Sequence, residues 1–381
     1  MRFKKLNRVN RRSEICDKSV FYLTHEETIF KPLCKSTPAR SQNRPRNKEK
    51  MILTFISIVL GALFCGADAL YSRDLDDMLQ MLKQRQRLTG PQSMLPFIVN
   101  PFSPVLLCDW HYNNGSPDTF GGDPILNEIV TNPLNMSNIG NVKACESVCV
   151  DATAFNSFAT DILPLIRTKI LLFSHRWCLP QVHKSHLTDL VRSHPNVSHW
   201  FAQNPVYIED GKYSAFPYGI EAGKLRAFGD ALLAYHQGSK QKITTIEHLH
   251  LSSSHPSRQK LITKRAETGR GIFLVQEFYE TVAASRFLIS PHGDRPDCYR
   301  HWEAIGLGAI PVSNIDPLLY GPLFGNDMMY VGDTDKLIEL LDDPSKLDSR
   351  YHAPRSQRVL TRYWTKKVNE EQRRCIQGLN I

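Results

Sequence analysis

From about residue 160 the chain alternates short apolar runs with amphipathic stretches at helical spacing, and no other feature narrows the fold as much. Lys169-Ile170-Leu171-Leu172-Phe173 is the continuous apolar run that a strand buried on both faces requires, and it ends at Ser174-His175-Arg176. Val182 through Arg192 carries Leu187, Leu190 and Val191 on one side and predicts a helix. His199-Trp200-Phe201 and Pro205-Val206-Tyr207 predict further short strands. Glu221 to Tyr235 predicts a helix with an apolar face of Leu225, Phe228, Leu232 and Leu233. Lys242 to Leu251 reads as a strand, followed by a basic helix to about Arg265. The clearest cycle comes last. Phe278 to Ser285 is helical, Arg286 to Ile289 a strand, Ser290 to Asp294 a loop, Tyr299 to Leu307 a helix ended by Gly308, and Ala309 to Val312 a strand. Parallel strands need crossovers of this length. The blocks 165–240 and 241–345 therefore predict an α/β protein of two Rossmann-like domains, with parallel sheets facing a cleft.

The first 160 residues read differently. Residues 1–50 form a basic arm with 14 Lys/Arg against five Asp/Glu, whereas the remaining residues carry 33 of each sign. The formal charge of +9 thus resides in the arm, and a neutral body argues against a nucleic-acid groove. An apolar run from Met51 to Phe64 follows Lys48 and Lys50, with Ala67-Asp68-Ala69 behind it in the pattern of a signal-peptidase site. Residues 51–69 fit a secretory signal beginning at Met51. The competing reading is a single-pass anchor, with residues 51–65 in the membrane and the arm cytoplasmic. Residues 70–160 read as a stem helix, marked by Leu75, Met78, Leu79 and Leu82, and then as a loop-rich region. The amino-terminal domain is expected over 161–240 and the carboxy-terminal domain over 241–381.

Either targeting reading puts the body in an oxidising compartment: the lumen of the ER or Golgi as a type II membrane protein, or outside the cell. Glycosylation sequons begin at Asn114, Asn135 and Asn196. Six cysteines follow the targeting segment, an even number compatible with disulfides, and Cys145 and Cys149 are the pair most expected to be bridged, each to a partner left open. A zinc site at that pair lacks a second pair of ligands at suitable spacing.

In an open parallel sheet, ligands collect beyond the carboxyl ends of the strands, here Ser290-Pro291-His292-Gly293-Asp294 and Ser313-Asn314. Gly293 permits close backbone approach, and the helix beginning near Cys298-Tyr299-Arg300 directs free amides at an anion. Arg300 adds charge. Glu303, three residues on, shares its face and can accept hydrogen bonds from ribose hydroxyls; alternatively the two residues pair on a helix surface. Upstream, Arg258 follows Ser254-His255-Pro256-Ser257 at the end of a predicted strand, as a phosphate ligand or part of an exposed basic turn with Lys260, Lys264 and Arg265.

Ser285 to Gly293, then Cys298-Tyr299-Arg300-His301-Trp302-Glu303-Ala304, then Gly308-Ala309-Ile310-Pro311-Val312 resemble the exostosin family of glycosyltransferases in order and spacing. The resemblance covers residues 278–333. It implies the donor half of a GT-B fold, with Arg300 and Glu303 contacting the diphosphate and ribose of a nucleotide sugar; Arg258, Ser290, His292 and Gly293, at the strand ends, complete the expected donor site. Cys298 stands where that family usually has serine. The implied activity is transfer of a hexosyl or glycuronosyl group to a glycan or glycoprotein acceptor, by direct displacement with inversion. No cofactor is expected, and the transfer is expected to be metal-independent. A homo- or hetero-oligomer is compatible with the reading.

Inversion requires a base from the amino-terminal half. His175 after a strand end, Glu221 at a helix start and Asp109 before Trp110 are the candidates, while His292 serves the donor phosphate or the transferred sugar. Two other readings stay open: a lumenal or secreted glycan-binding protein of the same fold without turnover, and a fucosyltransferase-like GT-B enzyme.

Overall fold

The computed structural model describes residue 80 and residues 97–114, 132–176, 181–238, 242, 244–247, 255–267 and 274–379. The chain divides into Met1–Asp68 and Ala69–Ile381, and every described residue belongs to the second unit. The basic arm, the targeting segment and the stem helix marked by Leu75–Leu82 lie outside the described residues. No helix among those described is long and apolar enough to cross a membrane.

The architecture is α/β with two parallel sheets. The first holds β1 (Trp110–Tyr112), β2 (Ser147–Asp151), β3 (Ile170–His175), β4 (Val197–Ala202) and β5 (Tyr213–Ala215), side by side in sequence order and all parallel. Every residue of β3 is buried, as its unbroken apolar run requires. The stretch read as loop-rich therefore supplies two strands. They are short, and β2 packs through Val148, Cys149 and Val150 without the length that makes a strand visible in a sequence. Pro205-Val206-Tyr207 is a turn instead of a strand. The sheet continues instead through Tyr213, whose hydroxyl accepts from the Val206 amide at 2.9 Å.

Between β3 and β4 runs α1 (His186–Ser193), closed at its start by a Ser185–Thr188 capping box, and after β5 comes α2 (Leu225–Gln237), which buries Leu225, Phe228, Leu232 and Leu233. The second sheet is β6 (Thr244–Glu247), β7 (Ser285–Ile289), β8 (Ile310–Ser313) and β9 (Met329–Tyr330), again parallel and in sequence order. Its connections carry α3 (Pro256–Glu267), α4 (Val275–Ala284), α5 (Tyr299–Gly306) and α6 (Pro317–Phe324); α7 (Thr334–Asp342) follows β9. Gly308 turns the chain from α5 into β8 at φ +73°, where a Cβ would collide with the Tyr235 ring.

The last helix, α8 (Thr361–Gln377), leaves the second sheet and packs on β3 and β4 of the first. Cys375 is disulfide-bonded to Cys145, and Gln372 donates to the Cys145 carbonyl at 3.2 Å. A second disulfide joins Cys108 to Cys149. Both cysteines of the expected pair are thus bridged, to partners 230 and 41 residues away, which fits an oxidising compartment. Cys298 is a buried free thiol, so the even count does not translate into full pairing. Of the sequons, Asn135 is exposed, while the Asn196 amide donates to the Ile166 carbonyl at 2.6 Å and is committed to the fold.

Candidate functional site

Because strand order in each sheet follows the sequence, neither sheet has the reversal point at which an open α/β sheet forms its own crevice. The crevice arises between the two carboxyl edges. A cavity of about 280 Å³ is lined by Gln181–His183 after β3, Asn204–Val206 after β4, His292 and Pro296 after β7, and Asn314–Asp316 after β8. A larger hollow, about 610 Å³, runs beside Met329–Gly332 and α7. Several of its charged groups have local partners: Lys336 binds Glu339 at 2.8 Å and Asp333 caps α7. It borders the carboxyl end of β9 in the second sheet only and has no lining residue from the first sheet.

On the second-sheet side the loop after β7 is built around Arg258. This side chain, 5% exposed, donates from Nε to the His292 carbonyl at 3.1 Å and from Nη2 to the Pro291 carbonyl at 3.4 Å. A Cβ on Gly293 would stand 2.7 Å from Nη2, so glycine there is what lets the guanidinium lie against the loop. Arg258, His292 and Gly293 therefore come together, and the exposed-turn alternative for Arg258 is overturned by its burial. The His292 amide donates to Asn314 Oδ1 at 3.2 Å, and its ring lies 3.8 Å from that of His255. Burial, together with His255 and Arg258, holds the His292 imidazole below its ordinary pKa, so it faces the cavity uncharged at neutral pH.

Cys298 is the N-cap residue of α5, and its amide donates to His301 Nδ1 at 3.4 Å. His301, fully buried one turn on, places Nε2 2.9 Å from the Ser290 carbonyl and Nδ1 3.7 Å from Asp297 Oδ1. Burial opposes charge at both Cys298 and His301, yet their contact holds the thiol down and the imidazole up, with Asp297 adding to the second. Ser290 is buried, with Oγ 3.9 Å from the Cys298 sulfur.

Arg300 and Glu303 do not line the cavity. They stand along α5 toward the start of α2, where Glu303, 4% exposed, accepts from the Tyr279 hydroxyl at 3.1 Å. Burial pushes the Glu303 carboxyl up, while Lys224 and Arg300 pull it back. Glu221 belongs to this same cluster: its carboxylate is 2.7 Å from Lys224 and raises the pKa of Glu303. Glu221 is thereby placed beside Arg300 and Glu303 instead of opposite them.

Two residues that sequence reasoning passed over connect the sheets. Arg295, 2% exposed, donates to the Arg176 carbonyl at the end of β3 at 2.8 Å and lies over the Tyr218 ring at 4.5 Å. Asp297, fully buried, accepts from the Tyr218 amide at 2.8 Å and from Trp302 Nε1 at 2.7 Å. The signal was available: four of the eight residues from Pro291 to Cys298 are charged or histidine, immediately after a buried strand. Such charges persist only with built-in partners.

At the first-sheet edge, His175 closes β3 and is 5% exposed. Burial lowers its pKa to about 4, against the opposing pull of Asp151. Asp151 closes β2; its Oδ1 accepts from Arg176 Nη1 and from the Thr153 amide, each at 2.8 Å, while Oδ2, buried, has no hydrogen-bond partner. Asp109 is corrected as a base candidate. It precedes β1, at the amino edge of a parallel sheet, and its Oδ2 accepts from the Ser147 amide at 2.8 Å and hydroxyl at 2.7 Å. The cleft is at the other end of the strands.

Among the described residues no group of three or more His, Cys, Asp and Glu side chains comes together to hold a metal ion. Asp333-Thr334-Asp335 has the Asp-x-Asp pattern of metal-diphosphate sites, but Asp333 caps its own helix and Asp335 binds Lys260 at 2.8 Å. Asp74-Leu75-Asp76, of the same pattern, lies outside the described residues. Neither the models of known protein families nor the curated proteins include a match to this chain.

Proposed function

We propose that the chain is a glycosyltransferase of exostosin-like GT-B type, moving a sugar from a nucleotide onto a glycan or glycoprotein acceptor in the secretory pathway. One observation carries the reading. Arg258 is buried against a loop whose glycine leaves it room, and that loop borders a cavity whose opposite wall comes from the other sheet. A diphosphate placed between this loop and the start of α5 meets Arg258, the free amides of the helix and Arg300, a concentration of positive charge that stabilises a departing nucleotide. Glu303 and its neighbours Tyr279 and Lys224 then form the wall for the ribose.

Transfer follows by direct displacement. The acceptor hydroxyl attacks the anomeric carbon from the first-sheet side, its oxygen gains the new bond, and the bond to the diphosphate breaks toward Arg258 and Arg300. Of the base candidates, His175 alone lies at the carboxyl edge of the first sheet. Burial keeps it unprotonated, the form that accepts a proton, and Asp151 stabilises the charge it would gain. Metal-independent operation belongs to the same proposal.

The test is thermal stabilisation by a panel of uridine and guanosine diphosphate sugars. A ligand at a hundred times its Kd stabilises by about 2.7 kcal/mol, a shift of several degrees. Absence of any shift in a folded protein overturns the proposal. A glycan array run with and without donors separates transfer from binding alone.

A further inference from the structure

We infer that the cavity between Asn204 and Asn314 is the subsite for the terminal sugar of the acceptor, with the Asn204 amide as its recognition group. The inference rests on the transferase reading and adds to it the place and chemistry of the second substrate.

The lining excludes a phosphate. Among its described residues there is no Lys or Arg; the polar residues are Gln181, Asn204 and Asn314 with their amides, His183 and His292 with their rings, Asp316 and Tyr320. Between them lie Val206, Ile315 and Leu319. Amides and a carboxylate on apolar walls suit the hydroxyls and the carbon face of a neutral sugar ring. The size agrees, since about 280 Å³ is below the roughly 300–1,000 Å³ of sites for larger ligands. A nucleotide does not fit inside it; one ring does.

Asn204 provides the independent sign. It is 5% exposed and follows β4 with φ of 61°, a left-handed backbone that side chains seldom adopt. Its Oδ1 is buried with no hydrogen-bond partner. Neighbouring groups hold the turn in place: the Gln203 amide donates to the Pro217 carbonyl at 3.1 Å, and Tyr213 anchors Val206. The protein therefore keeps a residue in a left-handed backbone with an unsatisfied polar atom at the lip of a cavity, and a bound hydroxyl would satisfy that atom. Asn314, on the facing wall, is already committed to His292 and Thr334. His292 marks the end of the cavity nearest the donor loop, so an acceptor ring held at Asn204 lies next to the reacting carbon.

The experiment is saturation-transfer NMR on the full chain, using methyl glycosides of xylose, galactose, glucuronic acid and N-acetylglucosamine, with uridine diphosphate and guanosine diphosphate as separate probes. Asn204→Gly removes the amide while easing the left-handed backbone, so the variant is expected to melt no lower than the parent. Glycoside binding should weaken about tenfold, the loss of one well-placed hydrogen bond, with nucleotide binding changed less than twofold. Val206→Trp fills the same cavity from the neighbouring turn and should abolish glycoside binding, giving a second reading if the glycine variant does not fold. Unchanged glycoside binding in both variants overturns the inference, as does a protein that binds nucleotide but none of the glycosides. Glycoside binding that depends on Asn204, without affinity for either nucleotide, retains the sugar site and overturns the transferase reading alone.

Discussion

Gly293→Ala probes the construction of the loop after β7 directly. The added methyl would stand 2.7 Å from Arg258 Nη2 and 3.0 Å from Cζ, both inside contact distance, so the guanidinium must move or the loop must lift. Either movement breaks the bonds to the His292 and Pro291 carbonyls. Hydrogen bonds from a charged donor are each worth roughly 1.5–3 kcal/mol, and part of this returns as the arginine end regains water. The net cost in stability is expected to be about 2 kcal/mol. Nucleotide affinity should fall by about thirtyfold, because the loop and its cation are displaced together. Urea unfolding and calorimetric titration with uridine diphosphate measure the two effects. The decisive comparison is the double-mutant cycle. In an Arg258→Ala background the same methyl has nothing to collide with, and its cost should drop below about 0.5 kcal/mol. A methyl that costs the same with and without Arg258 refutes the close-approach argument.

Arg300→Ala should reduce transfer by at least about a hundredfold while the melting temperature stays within a few degrees, since the group is assigned to a developing charge; retained turnover counts against the donor assignment. His175 supplies a pH test. Its folded pKa of about 4 lies below the ordinary 6.5, so the unfolded chain binds a proton that the native one refuses. Stability is fully present above about pH 6.5 and is lost as the pH falls toward 4, by on the order of 3 kcal/mol from this residue. His175→Gln should flatten that part of the urea-midpoint profile between pH 6.5 and 5, and an unchanged slope removes His175 as its source. Cys375→Ser opens a loop closed across 230 residues and should cost up to about 5 kcal/mol. Unfolding with and without reductant measures it, and equal midpoints for parent and variant under oxidising conditions would contradict the estimate.

The last third of the chain was legible because its signals are local. The predicted helix and strands around Arg286–Val312 match α4, β7, α5 and β8 within a few residues, as apolar runs punctuated by Ser290-Pro291 and Gly308 allow. Arg258 and Gly293 were singled out separately from strand-end position, and the structure brings them into contact. The first sheet was less legible. β1 has three residues and draws its partners from residues 148–150, a pairing that no pattern within Trp110–Tyr112 expresses. Asp109 was misplaced for a related reason: with β1 unrecognised, nothing in the sequence marked Asp109 as the residue before a strand, at the amino edge of the sheet.

The sequence by itself determined that the body is a parallel α/β protein, because strands buried on both faces must be apolar along their whole length and their crossovers must be helical. It also determined the order of the loop after β7 and the start of the helix that follows it. Only the tertiary structure decided which strand ends face one another, that Cys145 reaches Cys375, that Arg295 and Asp297 tie the loop to the first sheet, and that Asn204 holds an unpartnered amide oxygen at the cavity. Those contacts join residues far apart in the chain, and their strength depends on burial and geometry that exist only once the two sheets have come together.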